Sequence, residues 1–368
     1  MQRRLLTIAW SSSQASGTLA IGATAWLLSG LTPSPLVNGV LPALATLPLL
    51  LPLPQRIRLG SLLQVLSLLL LLAVAAGLLG RSVLAPLLGI ALLAVGLRLA
   101  QDPLQRQLHG RWGVPIGELR AGAEAGRLAG NLLTALLFPV GKALLQFGSA
   151  LVLLLPLAPL VGALRAGGHH PVEHREGDAA AALTAAAATT AATTTAAAEP
   201  APWRLEPGGV LQGLLLGGLF ALLPLWVREQ AAGSCFDFGL LLTAYGLGRT
   251  GAEAWGLRLP PRLPYLLMAA VLVATQFVGS WGSVLLFVPF GLLAAVADAR
   301  LAHGVDPAGD LQQNWSLLER SSALGGLAGS LGMGLVAQLI GLGGSLPIQL
   351  AAFLGAGVLL PLLQRRRH

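Results

Sequence analysis

Ser11, Ser12, Ser13, Gln14 and Ser16 stand inside an otherwise apolar run, the densest polar group within any such run of this chain. A hydroxyl or amide in hydrocarbon costs free energy unless it bonds its own helix, a neighbouring helix, water or a solute. At about 100° per residue along a helix, Ser12 and Ser16 share a face, Ser13 lies near Ser16, and Gln14 points elsewhere. Two readings follow. Serine lets helix backbones approach and its hydroxyl can bond its own helix, which makes the group a packing device. In the other reading Ser12, Gln14 and Ser16 line a polar cavity, and Gln14 fits that role better than the serines. Arg98 could bind an anionic solute or pair with an acid at a gate, and it also reads as an arginine snorkelling at a helix end. Asn131 and Gln276 read as helix-bridging or packing residues, and Asn131 is also a candidate solute contact. Tyr245 and Trp226 offer aromatic faces to a solute, although an interfacial anchor explains Trp226 equally well.

The signatures of covalent and phosphoryl chemistry are missing. There is no glycine-rich phosphate loop, no paired-aspartate diphosphate site, no HExxH pair and no GxSxG elbow. An ATP-driven pump or a membrane enzyme is therefore disfavoured, and no cofactor is called for. His169, His170 and His174 are good ligand types, but beside Glu173 and Glu176 they read as a solvated linker, so no metal site is expected. The single cysteine, Cys235, excludes an intrachain disulfide. No acid is expected near the middle of an apolar run. Glu124, Asp237 and Glu253 are the nearest groups for exchanging protons with a cavity, which leaves protons as a candidate coupling ion.

These side chains need a scaffold, and the composition says which. Of 368 residues, 55% are hydrophobic and only 10% charged, against about 25% charged in soluble domains. A helix crosses the hydrocarbon core with roughly 20 apolar residues. Twelve such spans are expected, near 6–29, 35–54, 61–79, 82–100, 121–139 and 143–164, then 208–227, 237–255, 264–280, 282–298, 321–341 and 345–363. No small-residue cleavage site follows the first, which is expected to remain as a membrane helix. Threading the spans from a cytoplasmic N-terminus puts twenty basic residues on the cytoplasmic side, including Arg98, Arg127, Arg249 and Arg320 at span ends. Only Arg81, Lys142 and Arg228 fall outside. That asymmetry fits the positive-inside rule and places both termini in the cytoplasm of a bacterial cell. The net charge of +8 is thus read as topology rather than as nucleic-acid binding. Residues 165–207 are polar and then alanine/threonine-rich, which predicts a flexible cytoplasmic linker between a 1–164 bundle and a 208–368 bundle.

The chain also repeats itself. Trp26, Ser34, Gly39, Leu41 and Arg58 are answered 200 positions later by Trp226, Ser234, Gly239, Leu241 and Arg258. Leu128-Ala129-Gly130-Asn131-Leu132 is answered 199 positions later by Leu327-Ala328-Gly329-Ser330-Leu331. Glycines at small-residue spacing, Gly126 and Gly130 against Gly325 and Gly329, predict close helix contacts in the fifth and eleventh spans. Transporters are often built from such repeats, with the site between halves.

Six plus six spans, a parallel repeat and a cytoplasmic linker together resemble the major facilitator superfamily. The opening segment, with Ala23-Thr24-Ala25-Trp26-Leu27-Leu28, Ser34-Pro35-Leu36-Val37-Asn38-Gly39 and Leu47-Pro48, looks most like its drug- and siderophore-exporter branch. The resemblance implies an all-α polytopic membrane protein of twelve helices in two pseudo-symmetric six-helix bundles. It further implies a monomer in the bilayer that moves a small-molecule solute by alternating access, with the first, fourth, seventh and tenth helices lining the cavity. The family's loop between spans two and three carries an aspartate that helps latch the cytoplasmic gate. Here Leu53-Pro54-Gln55-Arg56-Ile57-Arg58-Leu59-Gly60 keeps basic residues and a glycine but lacks the acid. By resemblance Arg56, Arg58, Arg258 and Asp298 border that gate. The missing acid also motivates a rival reading, a facilitator-like scaffold or assembly factor that transports nothing.

Overall fold

The computed structural model describes residues 2–53, 56–110, 114–137, 205–255, 259–305 and 311–365. Within them are α1 (Gln2–Leu31), α2 (Pro35–Leu50), α3 (Ile57–Ala75), α4 (Leu84–Gly110), α5 (Ile116–Leu137) and α6 (Pro207–Leu225), which runs into a π turn (Trp226–Gln230). Then come α7 (Cys235–Trp255), α8 (Leu263–Ala274), α9 (Ser280–Val305), α10 (Leu311–Ile340) and α11 (Leu342–Arg365). The sixth expected span, Arg258 and linker residues 165–204, with their histidines, lie outside the described residues. We call the end of the bundle holding the start of α1 basal and the end holding the α1–α2 turn apical.

Capping residues hold the starts of two helices. Ser34 caps α2, its hydroxyl accepting the Val37 N–H, with Pro35 in the first turn. Glu206 does the same for α6, accepting from Gly208 ahead of a first-turn proline. The segments Leu84–Gln101, Pro207–Glu229, Trp281–Gly304, Asn314–Ile340 and Leu342–Leu360 are long and apolar enough to cross a membrane. On α3, Leu62, Leu66 and Leu69 form an exposed apolar stripe, the surface a lipid-facing helix presents. Several helices outrun their apolar cores: α4 ends at Gly110 and α9 at Val305, while α10 begins at Leu311. The apolar count stops where charge begins, but these polar turns remain helical because they continue to pack.

Two interleaved pairings build each half. In the N-terminal half α1 packs on α5, and α4 packs on α2 and α3. In the C-terminal half α6 packs on α10, and α9 packs on α7 and α8. The repeat in the sequence is this packing. Side chains at Gly126 and Gly130 would collide with the carbonyls of Ser11 and Ala15. Side chains at Gly325 and Gly329 would collide with those of Val210 and Leu214, each partner displaced by the same 199 positions. The halves meet through α2 against α10 and α5 against α7. Gly39 and Gly239 make that approach possible: a Cβ at either would stand 2.5 Å from backbone of the opposite half, at Ser330 and Ala135 respectively.

Candidate functional site

Arg249 comes from α7 one helical turn after Tyr245, so both project from one face toward the basal half of the interface. Its guanidinium meets two carboxylates. Nη1 donates to Asp298 Oδ2 on α9 at 2.9 Å, and Nη2 stands 3.6 Å from Glu124 Oε1 on α5 of the other half. Nη1 also lies 3.3 Å from the Tyr245 hydroxyl oxygen. Glu124 has a second cation of its own, Arg127, whose Nη1 donates to it at 3.0 Å. Asp298 is held from behind by the Gln212 amide of α6, which donates to it and to the Ala294 carbonyl at 3.2 Å. The Tyr265 hydroxyl of α8 donates in turn to Gln212 Oε1. Gln212 and Tyr265 are almost fully buried. A buried charge is tolerated only when paired and hydrogen-bonded, and this chain of donors meets that condition for Asp298.

Other contacts cross between the halves along the interface. The Asn131 amide donates to the Leu242 carbonyl at 3.1 Å. Toward the base, the Arg120 guanidinium lies 3.7 Å over the Trp315 ring. At the apex Arg228, inside the π turn, donates to the Trp26 carbonyl at 3.1 Å and the Ser29 hydroxyl at 3.2 Å, and stacks 4.2 Å over the Trp26 ring. Ser34 donates to Gln338 Oε1 at 2.8 Å nearby.

Solved structures share this fold. A variant of the nucleoside transporter NupG aligns over 100% of this chain and 99% of its own at 14% identity and a TM-score of 0.60. NupG itself aligns over 99% and 98% at 11% identity and 0.58. A variant of the peptide transporter POT, in complex with sulfate, aligns over 98% and 94% at 15% identity and 0.63. The chain has a major-facilitator-type fold. At such identities the likeness speaks to fold alone. Comparison with family models found no match, and neither did comparison with curated protein sequences.

Within this major-facilitator frame the sequence-derived candidates scatter. Tyr245 and Asp298 come together around Arg249, and Asp298 sits at the heart of a network, two helical turns inside α9, rather than at a span end. Asn131 bridges the halves. Gln14 is half-buried against Gly126 of α5. Ser12 donates to its own Ile8 carbonyl, whereas Ser16 is fully buried with its hydroxyl unbonded. Along that stripe exposure falls from 62% at Ile8 to 0% at Ser16. Arg98 is half-buried on α4, and Arg56 and Arg58 are exposed around the start of α3. Arg249, Gln212 and Tyr265 were missed as site residues. Arg249 had been counted among topology-setting cations, and the one signal available was its four-residue spacing from Tyr245.

Proposed function

We propose that this protein is a secondary transporter that moves a small solute across the cytoplasmic membrane by alternating access, with export as its direction. The carrying observation is that Arg249 faces one carboxylate from each half. If the basal ends part, Arg249 keeps Asp298 and Glu124 keeps Arg127. The interface can then open without stranding a buried charge, a loss of roughly 3–5 kcal/mol when one partner of a buried pair is removed. In this reading the bundles 1–164 and 208–368, joined by the 165–207 linker, rock about a central cavity. Ser12, Gln14, Ser16, Arg98, Asn131 and Tyr245 are its proposed solute contacts. Arg56, Arg58, Arg258 and Asp298 belong to the cytoplasmic gate, and Glu124 is the proposed site where protons couple. The basal end, with both termini, faces the cytoplasm, and the protein acts as a monomer. The export direction rests on the opening segment's likeness to exporters. The nucleoside and peptide transporters among the structural neighbours make small organic solutes the first class to test.

The test compares metabolites inside cells and in the medium for a null strain, the wild type and Glu124→Gln. A compound retained by null and variant cells names the solute and supports export through this gate. A compound depleted in both reverses the direction. No difference, with the protein present in the membrane, removes transport and leaves the scaffold reading.

A further inference from the structure

The span count leaves three cations on the outer side, and Arg228 is one of them. The sequence repeat shows how it comes to face the other half. The 199-residue offset holds along α1 and α6 as far as Leu28 and Val227, both buried in the core of their own half. From the helix caps Ser34 and Ser234 onward the offset is 200. Six steps separate Leu28 from Ser34 and seven separate Val227 from Ser234, so the C-terminal half carries one extra residue between them. The π turn stands in that stretch, where the Ala231 N–H donates to the Trp226 carbonyl, five residues back, at 3.1 Å. α1 ends instead on an ordinary four-residue bond, from the Thr32 N–H to the Leu28 carbonyl at 3.0 Å. One-turn π segments are frequent at functional sites.

At the offset of 199 the counterpart of Arg228 is Ser29, and the two side chains bond each other across the halves. Nε donates to the Ser29 hydroxyl oxygen and Nη2 to the Trp26 carbonyl, with the guanidinium stacked over the Trp26 ring. Ser29 donates its own proton to the same carbonyl at 2.8 Å, which leaves its oxygen to accept from Arg228. Gly30 leaves room for this seat, since a Cβ there would stand 3.2 Å from both terminal guanidinium nitrogens. All three residues belong to the last two turns of α1, where the helix dipole favours a cation. Together they form a notch for a flat cation that donates from two positions.

Among the described residues Arg228 forms no ion pair, so its partners in the notch are neutral. It also stands at the end of the Pro207–Glu229 span. On leaving the notch the guanidinium passes to water, and no acid is stranded behind it. A buried ion pair at the same place would resist that step. We propose that Arg228 is a releasable latch. Seated in the α1 notch it holds the apical end closed, and its withdrawal lets the apical ends of α1 and α6 part. The proposal rests on the alternating-access reading and assigns its apical gate to a residue outside the basal network.

The test uses the full chain, purified in detergent, with Cys235→Ser and spin labels at positions 79 and 277. Arg228→Met should raise the open-to-closed ratio at the apex about tenfold or more, the range for a lost cation–π contact and hydrogen bonds from a charged donor. Arg228→Lys should open the apex nearly as far, because an ammonium cannot lie flat on Trp26 while reaching two acceptors as a fixed fork does. Gly30→Leu, on the exposed last turn of α1, should do the same by filling the notch from the other half. These last two variants keep the charge of the chain and should unfold cooperatively. The basal distance, from labels at positions 59 and 303, should not lengthen in any of them. A wild-type apical distance in Arg228→Lys or Gly30→Leu overturns the latch and leaves Arg228 a topological charge. Lengthening at both ends overturns it too, as general loosening. The metabolite comparison reads transport separately. An apex that opens in a chain moving no solute supports the latch and overturns transport, whereas an unchanged apex in a chain that moves solute overturns the latch alone.

Discussion

The two ends of the interface between the halves are closed by different physics. At the apex backbone lies against backbone, because Gly39 and Gly239 remove the side chains that would keep α2 from α10 and α7 from α5. Arg228 adds a cation–π contact there. At the base the halves meet through long side chains, and the cross-half pair is the looser one: 3.6 Å from Arg249 to Glu124, against 2.9 Å to Asp298 within its own half. Packed glycine contacts are lost as soon as helices separate by a fraction of an ångström. Paired side chains that each keep a second partner part at little cost. On the transport reading proposed above, the base is the end that opens first from this state.

Substitutions break or sharpen that contrast, and the largest effect is expected at Arg249. Arg249→Met leaves Asp298 without its cation and should destabilise the protein by roughly 3–5 kcal/mol, read as a fall in unfolding temperature in detergent. Adding Asp298→Asn should restore most of the loss, because no buried charge then remains unpaired. A double variant as unstable as the single would mean the network stabilises by packing alone. Next, Gly39→Val and Gly239→Val should each cost about 1–3 kcal/mol by overpacking. Both should widen the apical distance between spin labels at positions 79 and 277. If only one does so, the two glycine contacts are not equivalent. Ser34→Ala and Ser234→Ala remove hydroxyls that cap α2 and α7 and should cost about 1 kcal/mol each, with the apical distance unchanged for Ser234→Ala, since only the Ser34 hydroxyl also bonds across the halves, to Gln338. Glu124→Gln should have the smallest effect on stability, about 0–1 kcal/mol for a partly exposed pair. It should nevertheless lengthen the basal distance between labels at positions 59 and 303 while the apical one stays put. An unchanged basal distance would remove Glu124 from the gate.

Much of this architecture was legible in the residues alone. The 199–200 offset read from Gly130, Gly329, Gly39 and Gly239 is the same offset that relates the helix contacts. Glycine in an apolar helix has little use other than letting another backbone approach. The likeness to the major-facilitator fold followed from that repeat and the span count, and the solved structures bear out the fold. The site was only partly legible. Tyr245 and Asn131 were picked out for their chemistry, Asp298 by resemblance as a gate residue, and Glu124 as a candidate for proton exchange. Arg249 was set aside as a topological charge, and Gln212 and Tyr265 drew no notice.

The reason lies in what each kind of interaction encodes locally. Apolar length, start signals such as Ser34-Pro35, and glycine spacing are properties of one helix, so the sequence by itself determined the spans, their order and the repeated seam. Which polar groups meet depends on helix rotation and on how far each helix runs past its apolar core. Arg249 and Asp298 are 49 positions apart on different helices, and nothing near either residue specifies the other. Only the tertiary structure brings them together and adds Glu124 from the opposite half.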